Sequence, residues 1–218
     1  MAHLGIARAC SQAVHRYGRT DESLVRRARE AADEATIYLN DSHESLYAKA
    51  FAWHCTETYE DIRVGRGVYE QIIREAPREY SSVHNNLGYI LVKGGEHLMK
   101  RGQETKARKW WKDAEEQLKI TIELEGHTGR WEFAYANLGD LYRLQGRFPE
   151  GEQEYLKALA PDPRKSKYTN GLNELAALYR DWGRASGDPE KLTKAKEFHA
   201  LALATTSDEG VREKLRSQ

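Results

Sequence analysis

Asn86 and Asn137 each stand immediately before a Leu-Gly pair. A carboxamide carries a donor and an acceptor, so one such side chain can pair with the N–H and C=O of a single peptide unit. Two of them could grip an extended backbone without reading its side chains. Each bond contributes only about 0.5–1.5 kcal/mol, so affinity would need several of them plus apolar contacts. The same amides could instead bond inside the protein, between neighbouring elements. A second cluster is basic and aromatic: Lys100, Arg101, Lys106, Arg108, Lys109 and Lys112 surround Trp110 and Trp111, with Glu104 and Asp113 opposing them. Basic residues interleaved with aromatics can bind single-stranded nucleic acid by phosphate attraction and base stacking. They can equally form a solvated helix face over packed tryptophans. Adjacent helical residues point about 100° apart, so the two indoles cannot share one core layer. One is expected between helices, the other at an edge or against a partner.

Catalytic patterns are missing. The only glycine-rich candidate for a phosphate loop is the isolated pair in Gly65-Arg66-Gly67, and there is no His-Glu-x-x-His spacing or nucleophile elbow. The eight histidines are dispersed. The expectation is therefore no enzyme, no catalytic residue, no metal site and no cofactor.

The elements that position these groups must be helices. Valine and isoleucine form no alternating runs, and the five prolines, at 77, 149, 161, 163 and 189, fall at expected helix starts or ends. Of the 218 residues, 39% are apolar and 31% charged, which suits thin two-layer helix packing with a solvated surface. Lys+Arg and Asp+Glu balance at 34 each, so global charge does not argue for nucleic acid or acidic lipid. Cys10 and Cys55 have no paired metal spacing, and a reducing, cytoplasmic compartment is expected. No apolar run reaches the roughly 18 residues of a membrane span, and MAHLGIARACSQ does not read as a signal peptide. Asn40-Asp41-Ser42 matches a glycosylation acceptor but reads better as a helix-ending turn.

The stretch from Trp131 to Pro163 is the most regular. Tyr135, Leu138, Gly139 and Tyr142 mark one apolar face; Gly151, Tyr155, Ala158 and Leu159 mark a second; Pro161 and Pro163 close the unit. These residues resemble the tetratricopeptide repeat (TPR), a helix-turn-helix unit of about 34 residues. The departure is Gly151, where the family usually has alanine. Leu87-Gly88 echoes Leu138-Gly139, and Leu175, Ala176 and Tyr179 match Leu138, Gly139 and Tyr142. Ala195, Ala202 and Leu203 match Gly151, Ala158 and Leu159, with His199 in the place of Tyr155.

The resemblance implies an all-α, right-handed superhelical solenoid of antiparallel helix pairs, forming one domain over 1–218. The hairpins are expected near 3–39, 43–76, 81–125, 132–160 and 169–205, with a terminal helix at 207–217. In the first hairpin, Gly18-Arg19 is expected to stop one helix and Thr20 or Asp21 to cap the next. Helix 60–75 is expected to stop at Pro77. Gly88 and Gly139 lie 51 residues apart, so the third repeat is lengthened. Either both of its helices extend to a turn at Arg101-Gly102-Gln103-Glu104, which Leu98 and Met99 favour by continuing the apolar face, or the chain breaks at Gly94-Gly95.

In this family the first helices of successive repeats line a concave face that commonly holds a peptide or partner helix. That implies a groove built from 43–58, 81–100, 132–144 and 169–182. The residues it places there are Asn86, Asn137, Tyr89, Lys93, Phe133, Asp140, Arg143, Asn170, Asn173 and Arg180. Glu174 takes the place equivalent to Asn137, with Asn173 beside it, so an asparagine ladder stops there. Arg143 and Arg180 occupy equivalent places and could meet an acidic partner. Some members clamp a terminal carboxylate. Asn137 fits one place of that set, but Tyr89, Phe133 and Glu174 do not supply the others.

The function expected is a protein–protein interaction scaffold or adaptor. An alternative is a sensor or regulatory module of a larger signalling or defence protein that docks against its own chain. Nucleic-acid binding through 100–112 is the weaker third reading. Lys106, Arg108, Lys109, Trp110 and Trp111 form the second candidate surface. Self-association through an uncapped terminal helix pair stays open.

Overall fold

The computed structural model describes residues 2–17, 22–76, 80–126, 132–160 and 162–216. The Gly18-Arg19 stop, the Thr20 or Asp21 cap, Pro77, Trp131 and Pro161 lie outside them. Every regular element among the described residues is helical. The helices are α1 (Ala2–Tyr17), α2 (Glu22–Tyr38), α3 (His43–His54), α4 (Tyr59–Glu75), α5 (Ser81–Lys100), α6 (Glu104–Glu125), α7 (Glu132–Leu144), α8 (Phe148–Ala158), α9 (Thr169–Ser186), α10 (Pro189–Thr205) and α11 (Glu209–Arg216).

Local chemistry sets the boundaries. Asn40 and Asp41 take positive φ of 48° and 54° and turn the chain after α2, a backbone that short polar side chains tolerate. Ser42 and Thr58 cap α3 and α4 by accepting from the amides of Ser45 and Asp61. Pro149 and Pro189 lie in the first turns of α8 and α10, and the Asp188 side chain accepts from Glu190 N at 2.8 Å.

Helix α5 continues through Gly94-Gly95, and the chain turns at residues 101–103. The two glycines are contact points for the partner helix. A Cβ on Gly94 would lie 2.1 Å from Trp110, and one on Gly95 would lie 2.3 Å from Trp111. Consecutive glycines point about 100° apart, as do consecutive tryptophans, so each indole covers its own glycine.

The chain forms two compact units, residues 1–117 and 118–218. In the first, α1 packs on α2 and α3 on α4, while α3 also meets α1 and α2, and α5 meets α4. In the second, α7 packs on α8 and α9 on α10, and α9 also meets both α7 and α8. Helices α3 and α9 therefore each rest on their own partner and on the pair before it within the same unit. Small residues make this possible. Ala28, Ala31, Ala32 and Ala35 of α2 form a core with Ala7, Cys10, Ala48 and Ala52. A Cβ on Gly151 would come within 3.1 Å of the Gly139 carbonyl, and one on Gly65 within 3.1 Å of the Ala50 carbonyl. Four residues beyond each glycine a tyrosine, Tyr155 or Tyr69, is fully buried.

Candidate functional site

In the unit of residues 1–117, helices α1, α3 and α5 enclose an open cleft of about 380 Å³. Arg8 and Gln12 lie one turn apart on α1, and His43, Tyr47 and Phe51 follow one another at four-residue steps on α3. Tyr80, immediately before α5, and Ser82 and Val83, in its first turn, complete the lining. Tyr47, Phe51, Tyr80 and Val83 make the apolar lining; Arg8 and Glu44 place one charge of each sign in it. The His43 ring meets Tyr80 edge-on at 5.4 Å, and its Nε2 lies 3.2 Å from the Glu75 carboxylate.

Behind the cleft runs a polar network. Asn86 Nδ2 donates to Tyr47 Oη at 2.9 Å and to Tyr69 Oη at 3.2 Å, and Tyr69 Oη lies 3.1 Å from His54 Nδ1. An amide nitrogen only donates, so both phenol oxygens accept there. Tyr69 can then pass its own hydrogen to His54. Burial pushes the Tyr69 phenol well above its usual pKa, and the Tyr47 phenol is also raised chiefly by burial. Both hydroxyls are neutral at physiological pH. Asn86 thus bonds within its own unit and fixes Tyr47. Tyr89 donates to the Glu57 carboxylate, and the Lys93 ammonium sits 5.6 Å from the Tyr89 ring centre.

In the unit of residues 118–218, α7 and α9 carry the other expected groups. Phe133 is 51% exposed and meets Tyr168 edge-on at 5.3 Å. Asn137 is half-buried and Asn170 exposed. Asn173 Oδ1 lies 3.1 Å from His199 Nδ1, which gives that histidine a polar contact. Arg143 bonds Asp140 through Nε at 3.0 Å and Nη2 at 2.5 Å, and Asp181 of α9 through Nη1 at 2.5 Å. Burial disfavours this guanidinium's charge, but Asp140 and its other partners more than compensate and raise its pKa. Asp140 is itself buried. The Arg143–Asp181 pair joins α7 to α9, whereas Arg180 is half-exposed, with Nε 3.8 Å from Asp181.

The basic hairpin separates its aromatic from its charged residues. Trp111 is 4% exposed and donates its indole N–H to the Val92 carbonyl at 3.2 Å. Expected on the second surface, it belongs instead to the interior, because Gly95 leaves room for its ring. Trp110 is half-buried, stacks on Tyr59 at 6.0 Å and lies under the Arg66 guanidinium at 4.6 Å. Lys106, Arg108 and Lys109 are exposed.

Two features escaped the sequence reading. Arg8 and Gln12 bring α1 into the cleft, although the expected groove began at residue 43. Gly65 is a helix-contact residue. Its spacing to Tyr69 and Ile72 repeats that of Gly151 to Tyr155 and Ala158 and was the available signal. Among the described residues no group of three or more His, Cys, Asp or Glu is placed to hold a metal ion, and no helix is long and apolar enough to cross a membrane.

In sequence, the chain matches no protein-family model and no curated protein. In structure, it is similar to the crystal structure of a thermophilic TPR protein from Thermus thermophilus. The TM-score is 0.73 over 99% of this chain and 97% of that one, at 18% identity. The likeness is one of fold, and the fold is TPR-like.

Proposed function

We propose that this TPR-like chain is a non-enzymatic protein–protein interaction scaffold that holds a peptide or helical segment of another protein in the cleft of α1, α3 and α5. The supporting observation is the cleft's composition: aromatic walls for an apolar anchor, with Arg8 and Glu44 to orient it. Its volume of about 380 Å³ lies at the lower end of the roughly 300–1,000 Å³ of ligand sites, which suits one or two anchoring side chains. Asn86 acts from behind by holding Tyr47, whose own hydrogen can turn to a ligand carbonyl. In the second unit, Phe133, Asn137, Asn170 and Arg180 offer a further face for such a partner. The buried free thiols Cys10 and Cys55 support a reducing compartment such as the cytoplasm.

The test is a photo-crosslinking residue placed at Gln12, in the cleft, or at the exposed Val64 of α4 as a control. The expected result is a discrete protein adduct from Gln12 alone. Equal adducts from both positions, or none from Gln12, would reject the cleft as the site.

A further inference from the structure

We infer that the outer face of α6 is a second docking surface, separate from the cleft, and that it takes an acidic helical segment of another protein. Between Lys93 and Lys112 the sequence holds seven cations and two carboxylates, Glu96 and Glu104. Both carboxylates are engaged: Glu96 by Lys100 at 2.7 Å and Glu104 by Arg108 at 3.5 Å. Asp113, just beyond, lies 4.0 Å from Arg66. The Arg101 guanidinium rests over the Tyr59 ring at 4.4 Å, and the Lys93 ammonium lies 5.6 Å from the Tyr89 ring centre. Lys106, Lys109 and Lys112 remain: all three are exposed, and no carboxylate among the described residues pairs with them. Glu116, one turn further along, marks the end of the stripe.

The spacing selects the partner. Steps of three residues place the three ammonium groups on one diagonal row, with a rise of about 4.5 Å per step. A helix bearing carboxylates every third or fourth residue has a rise of about 4.5–6 Å between them, so the two rows can run alongside each other. Single-stranded nucleic acid is the poorer fit, because stacking on aromatic faces supplies much of its binding. Trp111 is buried, and Trp110 is covered by Arg66 and Tyr59. The contact is electrostatic and weakens with salt.

The test is binding of the full chain to a synthetic helical peptide with Glu at every third or fourth position, beside a short single-stranded DNA, at low and high salt. The variants are K106E/K109E/K112E, its milder counterpart K106Q/K109Q/K112Q, and a control, K167E/K194E/K196E, in the second unit. All are first checked for an unchanged circular dichroism melt, and the glutamine triple stands in if the reversal does not fold. The acidic helix should bind wild type and the control alike. It should lose about tenfold in affinity with the α6 charge reversal and less with the glutamines. No binding, equal loss in the control, or tighter binding of the single strand than of the acidic helix would overturn the proposal.

Discussion

Asn86 shows how one residue type can serve structure where chemistry suggested recognition. Its amide holds the Tyr47 and Tyr69 hydroxyls, so Asn86→Ala should cost about 1–2 kcal/mol in urea unfolding by leaving buried polar groups without their donor. Tyr47→Phe should leave stability closer to wild type and act mainly on ligand capture. Arg143 behaves in the same way. Because Asp140 is buried against it, Arg143→Ala should destabilise by about 3 kcal/mol, whereas Arg180→Ala should change stability by less than about 0.5 kcal/mol. Similar losses for the two would contradict this assignment. Burial also pushes the Cys55 thiol up to about 11 from an ordinary 9.0. The folded state therefore holds this proton more tightly than the unfolded chain does. The stability it contributes is present in full below pH 9.0 and is lost as pH rises through about 11. Melting temperatures across the alkaline range should fall less steeply in Cys55→Ala than in wild type, and iodoacetamide should modify Cys55 slowly at neutral pH.

At the scale of the helix, small residues decide which faces can meet. Gly94 and Gly95 admit Trp110 and Trp111 with no room for a methyl group. Gly95→Ala should destabilise by about 2–3 kcal/mol despite its better helix propensity, and combining it with Trp111→Leu should cost less than the sum of the two changes. Additive costs would mean that the ring and the glycine do not share a contact. The extended course of α5 to the turn at 101–103 was legible from Leu98 and Met99, which keep the helical period across the two glycines. The role of those glycines was not legible, because it depends on the tryptophans of a different helix. The same limit hid Gly65, whose contact is with the Ala50 carbonyl of α3, and it left the second hairpin's register open.

At the scale of the whole chain, the helical repeat was readable because one stretch, 131–163, fills nearly all the positions that such a unit needs for close packing. The candidate site was readable only in part. The first helices of the hairpins were expected to carry it, but the contribution of α1 and the inward use of Asn86 and Arg143 depend on pairings across helices. No local period records those pairings. Capture of a protein partner is the role proposed for the cleft of α1, α3 and α5. The most direct test fills the cleft in place, with Ser82→Tyr and Arg8→Glu combined, and compares affinity capture from source-cell lysate with wild type and with an Asn170→Tyr/Arg180→Glu variant of the second unit. All three proteins must melt alike. A specific partner should be held by wild type, retained at least in part by the second-unit variant and lost when the cleft is filled. Undiminished capture by the filled-cleft protein would contradict it.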